Sequence, residues 1–114
     1  MNWKLLAVTL LLVGCASVTP SLSNDPLAWQ EFGQQQALDG QLMLSESKIV
    51  KHSLSGDVNS EQYKAYLDGY QMGQKTYCEQ DARMLGTTGK PYRGICDDIN
   101  PFFRSDYEST YFEL

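Results

Sequence analysis

Histidine occurs once in this 114-residue chain and cysteine three times. With His52 alone, no Ser-His-Asp or Cys-His arrangement is visible, and His52 itself follows Lys51 in a polar stretch where exposure is expected. Two cysteines and one histidine also make no zinc set of recognisable spacing, so no metal or other cofactor is expected. Basic residues are scarce, 9 Lys and Arg against 14 Asp and Glu. The resulting acidic surface argues against nucleic acid as a partner and against adhesion to anionic lipid. Long apolar runs are missing as well. The longest extends from Leu5 to Val13 and stops at Gly14, with Ser17, Thr19, Pro20, Ser21 and Ser23 beyond it. A membrane-spanning helix, the competing reading of this run, needs roughly 20 apolar residues.

What is present at that point is Leu12-Val13-Gly14-Cys15 behind the n-region residue Lys4. A short apolar run, a small residue and then cysteine read as a bacterial lipoprotein signal with its lipobox. Gly14 fits the extended backbone into the peptidase, and the Cys15 sulfur is the acceptor for diacylglycerol. Ala16, not aspartate, follows the cysteine. In enterobacterial-type sorting this implies the outer membrane, periplasmic face. The chain therefore divides into a signal peptide at 1–14, a lipidated N-terminus and flexible tether at 15–24, and one domain at 25–114. The membrane is a partner through lipidated Cys15, and two or more acyl chains anchor stably. Cleavage leaves about 100 residues, enough for one small domain.

With Cys15 assigned to lipid, Cys78 and Cys96 remain. In an oxidising periplasm they most simply form one disulfide. Closing a loop of about 19 residues contributes about 3 kcal/mol in the chain-entropy account.

Local signals give a mainly helical domain. Asp25-Pro26 reads as N-cap and first helical residue. Trp29, Phe32, Gly33, Gln36, Ala37, Gly40, Met43 and Leu44 then share a helical face, which should fade before Ser53. A second helix starts near Asn59, where Gln62 completes a capping box and Val58 can staple to Tyr63, and it ends near Cys78. Tyr63, Leu67, Tyr70 and Tyr77 form one face; Ala65, Gly69 and Gly73 form a narrow stripe of small residues. Residues 79 to 95 hold Gly86, Gly89, Gly94 and Pro91, a Gly-rich loop closed by the disulfide, with room for a short β pair around Met84-Leu85 and Arg93-Ile95. Asn100-Pro101 opens a third helix to about Phe112, carrying Phe103, Tyr107 and Tyr111. The expected fold is a helical hairpin plus a C-terminal helix.

Leu38-Asp39-Gly40-Gln41-Leu42-Met43 and Leu67-Asp68-Gly69-Tyr70-Gln71-Met72 share a Leu-Asp-Gly-x-x-Met pattern. Glycine inside a helix costs about 1 kcal/mol relative to alanine. The compensating gain expected is close packing of Gly33, Ala37 and Gly40 against Ala65, Gly69 and Gly73. Asp39 and Asp68 are solvated surface residues in the simpler reading and an acid–base pair in the other. Between the cysteines stand Arg83, Lys90 and Arg93, with no acid from Met84 to Ile95. With Tyr92 they form a candidate basic patch for peptidoglycan carboxylates or lipid phosphates; the alternative is that these charges only keep a loop solvated.

The order of motifs resembles a known family. After the lipobox come Trp29, Phe32-Gly33 and Asp39-Gly40, then Tyr66-x-x-Gly69-Tyr70-x-x-Gly73, Tyr77-Cys78, Gly86, Gly89, Tyr92-x-Gly94-x-Cys96 and Phe103-x-x-x-Tyr107. This is similar to the YfiL-like small proteobacterial lipoproteins of unknown function. Ser109, Thr110 and Tyr111 stand where that family leads one to expect a glycine. The resemblance implies an envelope lipoprotein with Cys78 and Cys96 paired, and no established activity. The functional expectation is a non-enzymatic binding or structural envelope protein that meets a protein or peptidoglycan partner. An enzyme acting on envelope glycan through Asp39, Asp68 or a nearby glutamate is the alternative.

Overall fold

A computed structural model describes residues 22–113. Gly14, Cys15 and the signal segment 1–14 lie outside them, as does most of the tether. Asp25 accepts the Leu27 amide on its side chain and Pro26 begins α1, Pro26–Leu38. The helix ends earlier than its apolar pattern suggests. Gly40 adopts φ 75, and the Gly40 and Gln41 amides donate back to Ala37 and Gln36 at 2.9 and 3.0 Å. This left-handed closure suits glycine and takes Met43 and Leu44 off the helix. A short α2, Glu46–Ile49, and a 3₁₀ turn, Val50–His52, follow.

The second long helix forms as its local signals dictate. α3 runs Ser60–Cys78, with Asn59 and Gln62 in a reciprocal capping box. The shorter α4, Ala82–Gly86, and α5, Phe103–Tyr111, complete the fold. The domain is mainly helical, and the only β pairing among the described residues is an isolated bridge between Leu22 and Ser53. The short β pair anticipated at Met84-Leu85 and Arg93-Ile95 is therefore replaced. Asp81 caps the Arg83 and Met84 amides with its carboxylate, which winds 82–86 into α4. Gly86 presses against the Tyr107 carbonyl and Thr110, too close for any side chain there.

α1 and α3 pack through their small residues. Gln30 meets Gly69, Gln34 and Ala37 meet Gly73, and Gly40 meets Tyr77. Residue numbers rise together along the seam, so the two helices run in the same direction. The close packing through small residues is as anticipated, but the expected hairpin is not formed, because residues 39–59 return along the pair before α3 begins and start it from the same end as α1. At that return Leu22 pairs with the His52 and Leu54 backbone, Trp29 Nε1 donates to the Ser23 carbonyl and Gln62 Nε2 to that of Asn24. Residues 22–24, expected as the end of the tether, are thus held by the domain. His52 is half-buried rather than exposed, its ring 5.0 Å from that of Phe32.

Two groups of large side chains make the core. Trp29, Ile49 and Tyr66 are fully buried at one end; Ile95, Cys96, Phe103 and Tyr107 are buried at the other. Cys78 and Cys96 form a disulfide with Cα atoms 5.6 Å apart, joining the end of α3 to the loop before α5.

Candidate functional site

Tyrosine hydroxyls hold the irregular backbone in place. Tyr66 donates to Gln36 at 2.6 Å and accepts the Leu44 amide at 2.9 Å. Tyr63 and Tyr70 donate to the Leu44 and Gln41 carbonyls at 3.2 and 2.7 Å. Tyr107 donates to the Lys90 carbonyl, and Tyr92 accepts the Cys96 amide at 2.8 Å while donating to Asp97. Gln36, a candidate inward-facing residue in the sequence, thus serves a buried phenol.

Where α1, α3 and α4 end, the returning loop and the disulfide loop enclose a cleft of about 560 Å³. This volume lies within the roughly 300–1,000 Å³ typical of small-molecule sites. Asp39 and Gln41 enter it from the end of α1; Tyr77 and Gln80 come from the end of α3; Lys90 and Arg93 come from the disulfide loop. Leu38, Leu85 and Pro91 supply apolar wall. Neither Lys90 nor Arg93 forms an ion pair among the described residues. Gly40 leaves room for the Tyr77 ring edge, whose hydroxyl lies 3.1 Å from where a Cβ at residue 40 would be. Burial, and then the neighbouring Tyr107 phenol, push the Tyr77 hydroxyl up to about 12, so it is a donor at neutral pH.

The four residues singled out in the loop separate into two pairs. Lys90 and Arg93 share the cleft. Arg83 reaches Asp106 at 3.6 Å across α4 and α5. Tyr92 packs in tilted contacts on both Phe103 and Tyr107, with the Arg104 guanidinium 4.8 Å from its ring centre. Its phenol is pushed up to about 12 mainly by burial. Neither Arg83 nor Tyr92 lines the cleft.

The repeated Leu-Asp-Gly pattern does not become a repeated structure. Asp68 lies within α3, whereas Asp39 follows the end of α1. Gly40 stands level with Tyr77, so the two aspartates are separated by about two helical turns along the seam. Paired-carboxylate glycan chemistry needs its groups within about 10 Å on either side of one bond, and Asp68 does not line the cleft that Asp39 lines. Among the described residues no group of three or more His, Cys, Asp and Glu is placed to hold a metal, and no helix is long and apolar enough to cross a membrane.

Tyr77 and Gln80 were not foreseen at a site. The helical spacing of Tyr77 marks it as core, and its ring is core; only the tertiary position of its hydroxyl distinguishes it. On the far side of the returning loop a smaller groove exposes Leu42, Met43 and Ile99.

A small helical domain with a disulfide-closed loop and a polar cleft at its helix ends is the class these features define. The sequence profile of the DUF2799 family, proteins of unknown function, matches residues 28–111, and the chain belongs to that family. Searches of curated proteins and of solved structures returned no match.

Proposed function

We propose that this chain is a lipid-anchored envelope protein of the YfiL-like kind, held by acylated Cys15 at the periplasmic face of the outer membrane, and that its domain binds a ligand without transforming it. The observation that carries the binding reading is the cleft that gathers Lys90 and Arg93, without ion-pair partners among the described residues, beside a single carboxylate, Asp39. Two cations and one acid recognise charge. The Cys78–Cys96 disulfide supports an exported domain, because disulfides persist in oxidising compartments. The lipobox residues Gly14 and Cys15 and the following Ala16 support the anchor and its destination.

Metabolic labelling with a fatty acid, followed by membrane fractionation, tests the anchor. Label should enter the native chain and vanish in Cys15→Ser, which should leave the outer-membrane fraction. A native chain that takes no label removes the anchor. Asp39→Asn and Asp68→Asn test the binding role against glycan cleavage. If either variant abolished a wall-cleaving activity while the fold persisted, the binding role would be abandoned.

A further inference from the structure

Four tyrosines are buried: Tyr66, Tyr70, Tyr77 and Tyr107. Three of their hydroxyls have partners within the fold, at Gln36, at the Gln41 carbonyl and at the Lys90 carbonyl. Tyr77 is only 8 % exposed, yet its hydroxyl makes no hydrogen bond among the described residues. A buried polar group left unpaired is unfavourable, and native structures seldom keep one without a reason. Here the group borders the cleft that Lys90 and Arg93 also line.

We propose that this cleft binds a short zwitterionic peptide, its free carboxylate held by the Tyr77 hydroxyl, Lys90 and Arg93, and its ammonium directed to Asp39. The assignment rests on the binding role above and names the chemistry of the ligand. A phenol O–H donates to an anion, and two cations beside it offset that anion's charge. Asp39 at the end of α1 disfavours an anion with no cationic group, such as phosphate, and favours a ligand that presents an ammonium near its carboxylate. Gln80 donates its amide to the Tyr77 carbonyl at 3.2 Å, which fixes its side chain at the rim with its amide oxygen left to accept from a peptide N–H. Leu38, Leu85 and Pro91 suit the aliphatic part of such a chain. A peptidoglycan stem peptide and the C-terminal end of a short protein fragment both offer this chemistry.

Calorimetric titration of the full-length chain in detergent tests the site. The probes are trialanine, its C-amide, its N-acetyl form, inorganic phosphate and the stem tripeptide L-Ala-γ-D-Glu-meso-diaminopimelate. Trialanine or the stem tripeptide should bind, and amidation of the carboxylate should weaken binding at least about tenfold, with acetylation weakening it less. Tighter binding of the stem tripeptide marks the wall as the source; tighter binding of trialanine marks a protein terminus. Tyr77→Phe should lose at least about tenfold in affinity while its melting temperature stays equal or rises, because no internal hydrogen bond is removed. Lys90→Gln with Arg93→Gln gives a second route to the same loss from exposed positions. Equal binding of the C-amide, equal binding of phosphate, or no binding of either free peptide overturns the assignment. So does native affinity in Tyr77→Phe, or a lowered melting temperature in it. The anchor is unaffected by any of these results, since its test reads acylation and location.

Discussion

Around Gln30 and Gly69 the α1–α3 pair is held by backbone lying on backbone, whereas around Phe103 and Tyr107 short pieces of chain are held by rings and a disulfide. The first arrangement depends on atoms that are missing. Gly33, Gly69 and Gly73 each face main-chain atoms of the other helix, and an added Cβ has nowhere to go. The second depends on atoms that are present: Tyr92 packs on Phe103 and Tyr107, Tyr77 on Phe103, and Cys78 is bonded to Cys96. A seam of the first kind fails as a unit. A cluster of the second kind fails piece by piece and can border a cleft, since one of its polar groups can be left facing outward.

The sharpest way to break this contrast is Gly69→Ala. The new Cβ would meet the Gln30 carbonyl, and overpacking against backbone should destabilise by about 3 kcal/mol. The propensity gain of alanine, about 1 kcal/mol, opposes this without cancelling it. Gly56→Ala is the control: it has open space and φ 79, so its loss reflects left-handed backbone alone, about 1 kcal/mol. Urea denaturation measures both. Equal losses at the two positions would remove the seam as the cause.

The double change Cys78→Ser with Cys96→Ser should be next in size, a loss of about 2–3 kcal/mol. Its distribution matters more than its total. Hydrogen exchange should speed in α4 and α5 while amides from Tyr63 to Tyr70 keep their protection, because the seam does not depend on the bridge. Uniform loss of protection along α3 would show that the two ends unfold as one.

Tyr107→Phe comes third. It removes the hydroxyl that serves the Lys90 carbonyl, at a cost of about 1 kcal/mol for a neutral hydrogen bond. Tyr77→Phe, the same chemical change one ring away, should cost nothing. Thermal denaturation of the two variants side by side reads the difference, and equal losses would mean that both hydroxyls are satisfied within the fold.

Much of the helical part was legible because its signals are local. Asn59 and Gln62 form their capping box within one turn, Asp25-Pro26 begins α1, and Phe103 and Tyr107 share a buried face at four-residue spacing. The cysteine pairing followed from counting. Direction was misread as a hairpin, since small stripes on two helices pack equally well parallel or antiparallel and nothing local distinguishes them. That choice is made by the return of residues 39–59, which Leu22 and Ser53 tie down. The end of α1 was misread because apolar residues continue past Gly40, whose backbone had already turned left-handed. Tyr66, fully buried, lay beside the face assigned to Tyr63 and Tyr70, and a wide aromatic arc hides which ring points inward. Of the candidate basic patch, Lys90 and Arg93 lie in the cleft and Arg83 and Tyr92 do not. No spacing rule could separate them, because the separation is set by α4 winding where a strand was expected.

The smallest effect belongs to the exposed pair at the edge of the ring cluster. Arg104 reaches Asp97 at 2.7 Å, both side chains 45 % exposed. The Arg104 hydrogen bond, aided by that from Tyr92, holds the Asp97 carboxyl below its ordinary value. A depressed folded-state value contributes stability that is present above the unfolded carboxylate's pKa and is lost as pH falls through the folded one. Solvent and salt screen such a pair, so the contribution is slight. Asp97→Asn keeps an acceptor for the Tyr92 hydroxyl but removes the charge, and should flatten the acid limb of the stability curve a little, with molar salt erasing the difference. Denaturation midpoints at about pH 7 and about pH 3 measure it. A loss rivalling that of the disulfide would overturn the contrast drawn above, because the cluster around Phe103 would then be held by charge more than by packing and a covalent bond.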